Sequence, residues 1–213
     1  GGRSSGAETG GRVAAGAIAL KMLASLGIKV CAYSKAIGGI AIDPAAFDED
    51  EILRNPLYMP DQAASERAQV LLDQAMASHD SVGGIIECRI TGMPAGIGDP
   101  VFDKLSSNLA RAICSVGAVK GFEIGDGFAV ADARGSSNND AFTCGEDGRI
   151  TKKTNHAGGI LGGMSDGSEI VFRAAIKPTP SIFSTQETVK TDGTPVSIQI
   201  KGRHDPIIVP RAV

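Results

Sequence analysis

The sequence predicts an α+β fold, and two observations carry that prediction over the parallel doubly wound sheet that its alternating patterns would otherwise suggest. Helical and strand-like patterns alternate through the first half of the 213 residues. The strand-like stretches place charges at every second position, which suits antiparallel sheets with one exposed face rather than a doubly wound parallel sheet. The last third has no convincing helical pattern and is punctuated by Asp-Gly and Gly-Asp-Gly turns.

Ser5, Gly6, Ala7 and Glu8 fit a capping box, with Ser5 as N-cap and Glu8 three positions on. A helix over residues 6–26 then ends at Gly27. Positions 10, 11, 14–17 and 19 are all Gly or Ala, and Ile18, Met22, Leu23 and Leu26 supply the bulk. A helix apolar nearly all round predicts a buried one. Residues 28–36 read as a strand, and residues 38–60 as a loop with three prolines and an acidic run. Asp61 starts a second helix, with Ala64, Ala68, Leu71, Leu72 and Ala75 on one face. Ile86, Cys88 and Ile90 alternate with Glu87, Arg89 and Thr91, a strand with one wet face. Asp99-Pro100 is an N-cap and first-turn pair for a third helix to about Val116, striped by Leu105, Leu109, Ala112 and Ile113. Strands and hairpins begin at Val119, and residues 134–154 predict a mobile polar loop.

Composition narrows the function. A hydrophobic share of 42% with a net charge of -3 describes a soluble globular chain without the basic stripe of a nucleic-acid binder. An aromatic share of 4% with no Trp argues against base-stacking platforms. The four cysteines (Cys31, Cys88, Cys114, Cys144) are scattered without a C-x-x-C pair, which argues against a zinc site and for a reducing, intracellular setting. No apolar run is long enough to span a bilayer. Residues 1–213 are expected to form a single domain.

Five short stretches carry chemistry. The opening "GGRSSGAET" is either an ordinary capped helix start or an anion cradle built from free N–H groups and the helix dipole. "GMSDG", residues 163–167, matches the G-x-S-x-G elbow of hydrolases and makes Ser165 a candidate nucleophile. The segment after it alternates like a strand, whereas the elbow needs a helix. "NHAGGILGG", residues 155–163, sets glycines after a histidine, as a close packing site or as bare backbone for a flat ligand. "KPTPSI", residues 177–182, is a proline-fixed loop. "GRHDP", residues 202–206, gathers a fixed cation, an imidazole and a carboxylate, or is a surface turn.

Taken together and in this order, the blocks resemble the chorismate synthase family. "RSSGAET" with "RVAAGAIA", "DSVGGIIEC" (80–88), "VKGFEIGDGF" (119–128), "NHAGGILGGMSDG" (155–167), "KPTPSI" and "GRHDP" are similar to family signatures along essentially the whole chain. The resemblance implies a β-α-β sandwich, with helices packed between antiparallel sheets, in a cytoplasmic homotetramer. It implies a lyase of the shikimate pathway, on the route to aromatic amino acids. The reaction is a 1,4-anti elimination that converts 5-enolpyruvylshikimate 3-phosphate to chorismate and phosphate with reduced FMN; NADP enters only where a member carries its own flavin reductase. No nucleic acid or membrane is implied as a partner. The resemblance places Arg3, Ser4, Ser5, Gly117, Ala118, Gly162, Lys177, Pro178, Thr179, Pro180, Ser181 and Arg203 at the flavin. It makes Asp205 the proton handler, with His204 beside it.

The resemblance also implies a longer parent. Members carry an upstream segment with two catalytic histidines and several substrate-binding arginines, and a final helix downstream. His79, His156 and His204 are neither of those histidines. The isolated chain is therefore expected to be inactive or weakly active, or to be a folded scaffold that binds no ligand. One departure stands out: the family has Arg before its Glu-Thr pair, and this chain has Ala7.

Overall fold

The computed structural model describes residues 8–146, 148, 150–202 and 205–213. The chain divides into two compact units, Gly1–Ala32 with Glu87–Ala174, and Tyr33–Ile86 with Ala175–Val213. The elements are α1 (Thr9–Ser25), β1 (Lys29–Ile37), β2 (Ile40–Ala41), α2 (Gln62–Ala77), β3 (Gly84–Thr91), α3 (Leu105–Cys114) and β4 (Val119–Ile124). They continue with α4 (Gly135–Asn138), β5 (Phe142–Cys144), β6 (Ile150–Lys152), β7 (Ile160–Leu161), β8 (Met164–Ser165), β9 (Ile170–Ile176), β10 (Gln186–Val189), β11 (Pro195–Ile198) and α5 (Val209–Ala212). One sheet has the order β2-β1-β3-β9-β4, and β10-β11, β5-β6 and β7-β8 form two-stranded ribbons. The ribbons and the β1-β2 pair are antiparallel. The predicted α+β class stands.

In the first unit the core gathers Ile28, Cys88, Ile90, Ile170 and Phe172, with Leu23, Leu105, Leu109 and Ile113 packed against it. Phe122 meets Phe172 with ring centroids 5.4 Å apart. Burial, with Cys31 and Glu87 nearby, pushes the Cys88 thiol up to about 12. The four cysteines form no disulfide with one another; Cys114 and Cys144 are exposed.

Several expectations change here. The helix predicted to be buried, α1, has no buried residue, and Ile18 and Leu26 are 66% and 72% exposed. Its apolar surface exceeds the cover that the described residues supply, which is mainly Leu23 on the core. Its described part begins at Thr9, with Glu8 as N-cap, and Ser5 lies outside the described residues. The Glu8 carboxylate accepts from Arg12 Nε at 2.9 Å.

The wet face predicted for β3 is not wet at Glu87, which is buried. Arg173, on the strand between β3 and β4, donates to Glu87 at 3.1 Å and also bonds Glu123. Arg89 forks onto Glu169 at 2.8 and 2.9 Å. Cross-strand ion pairs cover Glu87 and part of Arg89 on that face, while Thr91 stays exposed.

Asp99-Pro100 does not start the third helix. Val101 has φ 71°, outside the helical region, and α3 begins at Leu105. The Leu105 N–H donates to Gly163 O at 2.7 Å, so the β7-β8 ribbon satisfies the helix start. Residues 134–154 hold α4 and the β5-β6 hairpin rather than a plain loop, and residues 38–60 hold β2 and two 3₁₀ turns.

In the second unit the Asp61 expectation holds. Its Oδ1 accepts from Ala64 N at 3.0 Å and its Oδ2 from Asp43 N at 2.9 Å. α2 buries Ala64, Ser65, Ala68, Leu72 and Ala75. Asp192-Gly193 turns the β10-β11 hairpin, with Gly193 at φ 85°.

Candidate functional site

Each group of predicted residues lies within one unit. In the second unit, Ser181 and Asp205 line one cavity of about 240 Å³ with Met76, His79, Asp80 and Phe183. Asp205 pairs with Arg211 at 2.8 Å. His79 closes the end of α2 in the left-handed conformation, φ 60°, and its ring lies 5.4 Å from that of Phe183. In the proline-fixed loop, Lys177, Pro178 and Pro180 are exposed. Ser81 Oγ donates to Thr179 O at 2.7 Å, which pins the loop. Thr179 Oγ1 is buried with no hydrogen-bond partner among the described residues. Such an orphaned hydroxyl is a group that a polar ligand satisfies. Arg203 and His204 lie outside the described residues.

In the first unit, Gly162 and Gly163 form the two-residue turn between β7 and β8, with φ of 60° and 92°. Asp166-Gly167 lies in the connection from β8 to β9. A side chain at Gly163 would strike Lys104, whereas Gly162 is exposed and a Cβ there would meet nothing within 4 Å. Gly117 and Ala118 lie just past the other end of α3, and Ala118 holds φ 71°, a costly conformation for a residue with a side chain. The ten residues of α3, about 15 Å, separate the two groups. Arg3, Ser4, Ser5 and Ala7 lie outside the described residues.

The Ser165 hydrolase reading fails. Ser165 is 4% exposed, donates to Pro94 O at 2.6 Å and accepts from Ile97 N at 2.9 Å. Its hydroxyl ties β8 to the segment between β3 and α3 and meets no general base among the described residues.

Sequence reasoning missed two features. Arg12 Nη1 donates to Ser115 Oγ at 2.6 Å and its Nη2 to Ser115 O at 3.2 Å, which docks the start of α1 on the end of α3, two residues before Gly117. The second is a charge cluster: Lys152 Nζ sits 2.7 Å from Asp166 and 3.4 Å from Asp140, with side chains 2%, 7% and 3% exposed. Burial pushes the Asp140 carboxyl up, but the Ala157 and His156 amides, the Thr154 hydroxyl and Lys152 together hold it well below the usual range. Burial likewise opposes the charged form of Asp166, and Lys152 and Ser168 hold it low. Nearby, His156 Nδ1 meets Asp126 Oδ2 at 2.6 Å. Nothing local in the sequence marks Lys152 as a buried cation.

No described helix is long and apolar enough to cross a membrane, and no metal-binding cluster occurs among the described residues.

The fold and these groups define an α+β protein with bare-backbone turns and a proline-fixed loop beside a carboxylate. The comparisons give that class a family. Residues 1–213 match the family pattern described as chorismate synthase. The chain is 62% identical to the chorismate synthase of Agathobacter rectalis over 213 residues, all of this chain and 58% of that protein. It is 50% identical to that of Chloroflexus aggregans over the same span, and 46% identical to that of Porphyromonas gingivalis over 216 residues, 59% of that protein. A solved structure, "Crystal Structure of Chorismate Synthase", superposes with a TM-score of 0.77 at 30% identity over 83% of this chain and 57% of that one. The chain belongs to the chorismate synthase family. It spans a little under three fifths of the length of these relatives.

Proposed function

We propose that the chain belongs to a lyase that converts 5-enolpyruvylshikimate 3-phosphate to chorismate and phosphate by 1,4-anti elimination, with reduced FMN as cofactor. Family membership over the full chain supports the reaction class. The observation that carries the residue assignment is the cavity shared by Ser181 and Asp205.

The residues present suit a flavin: an orphaned Thr179 hydroxyl, an exposed Lys177, and open backbone at Gly117 and Gly162. Lys177 balances anionic charge. Ala118 in the first unit, and Pro178, Pro180 and Ser181 in the second, belong to the same assignment. The chemistry that bound reduced FMN supplies is transient electron density for loss of the allylic phosphate. Asp205 receives the departing proton on a carboxylate oxygen, and Arg211 holds that carboxylate in place. Arg3, Ser4, Ser5, Arg203 and the neighbouring His204 belong to the same proposal, in a cytoplasmic homotetramer. With Ala7 the chain lacks one fixed charge for the substrate.

Titration of a full-length protein carrying this chain with reduced FMN, in the presence of substrate, tests the reading. A perturbed flavin spectrum and phosphate release are expected; an unperturbed spectrum sinks it. The 213-residue chain alone is expected to turn over negligibly, and near-parental rates would refute that.

A further inference from the structure

We propose that Lys152, Asp140 and Asp166 form a buried ionic clamp that positions the Gly162 turn, and so act as positioning residues for the cofactor. This inference rests on the flavin reading of the site. The β7-β8 ribbon that presents Gly162 has only two residue pairs, Ile160 with Ser165 and Leu161 with Met164. Ribbons that short do not hold their own geometry in water. The clamp fastens both of its stems. Before β7, Asp140 accepts from the backbone N–H of His156 at 2.8 Å and Ala157 at 3.0 Å. Asn155 Oδ1 accepts from Gly159 N at 2.9 Å and faces Lys152 Nζ at 3.4 Å. After β8, Asp166 N donates to Gly159 O at 3.0 Å, and its carboxylate bonds Lys152 and Ser168 N. Lys152 reaches in from β6 and touches both carboxylates.

Burying charge in this way is an expensive route to stability, since apolar packing of the same volume does as well or better. What directional ion pairs add is a single fixed arrangement. Here the arrangement ends in an exposed stretch of bare backbone at Gly162, whose neighbour Gly163 is tied through its carbonyl to the start of α3. A clamp that sets the place of an open glycine turn fits a surface against which a flat ligand must lie.

The test uses the full-length protein, with Lys152→Met and Asp166→Asn. Both variants are assayed for reduced-FMN affinity and for the shape of the bound-flavin difference spectrum, at a temperature where circular dichroism shows them folded. Displacing a binding surface by a fraction of an ångström to an ångström predicts a roughly tenfold weaker Kd and an altered spectrum for Lys152→Met, and a smaller change of the same kind for Asp166→Asn. Lys152→Arg, which keeps the charge, is expected to recover much of the affinity. Folded variants with a lower Tm but wild-type Kd and spectrum overturn the clamp and leave the flavin reading intact. A wild-type protein that gives no flavin signal overturns both. If Lys152→Met does not fold, Asp166→Asn decides by the same readings.

Discussion

Helices α1 and α2 are nearly matched in length, 17 and 16 residues, and both are rich in alanine, yet they sit in opposite environments. α2 mixes charges with one apolar stripe and buries five residues on it, under a side-chain cap from Asp61. α1 is apolar nearly all round, buries none of its residues and has no side-chain cap among the described residues. A stripe tells a helix which face to hide, because one orientation is far better than the rest. A helix that is apolar all round carries no such instruction, and its burial depends on what surrounds it.

The contrast can be broken from either side. The largest effect is expected in α2, where Leu72→Ala removes a buried stripe residue and should lower unfolding stability by about 2–5 kcal/mol, read from urea denaturation. Asp61→Ala should cost about 1–2 kcal/mol through the lost cap. This cost carries a pH signature. Burial pushes the Asp61 carboxyl up, but the Asp43 and Ala64 amides outweigh it and hold it below 3.8. A folded value below the unfolded one means that the charge-dependent contribution is complete above the unfolded value and is lost as pH falls through the lower folded value. The gap between wild type and Asp61→Ala should therefore shrink only in acid below 3.8; a gap that closes near neutrality would contradict the assignment.

In α1 the sign reverses. A side chain at Gly16 would meet nothing within 4 Å, so Gly16→Ala should raise stability by about 0.5–1 kcal/mol, measured as a higher denaturation midpoint. Ile18→Ser should stay within about 0.5 kcal/mol, as surface changes do. A loss on the scale of Leu72→Ala at Ile18 would show that the outer face of α1 is covered after all, and the contrast between the helices would vanish.

How much the sequence disclosed depended on the range of the interactions involved. The α2 cap and stripe were legible, because Asp61, Ala64 and Leu72 lie within a few turns of one another. The start of α3 was not: its first N–H is satisfied by Gly163, far along the chain, and Asp99-Pro100 only imitates a cap. Alternation on β3 predicts one wet face, but Glu87 hides behind Arg173, a partner that a pattern of alternation does not name. For the site, the blocks led to Ser181 and Asp205, which share a cavity. Arg12 and the Lys152 cluster carry no such mark. Their significance lies in tertiary surroundings: Ser115 for Arg12, and two aspartates on other segments for Lys152.

The Cys88 thiol has one practical consequence. With its proton held up to about 12, it supplies almost no thiolate at neutral pH, and alkylating reagents have nothing to attack there. Cys114, the last residue of α3, and Cys144, in the β5-β6 hairpin, stand in solvent. Maleimide dyes will take those two ahead of Cys88. The Cys114 label will then stand three residues from Gly117, an optical reporter beside that turn that needs no mutation in the core.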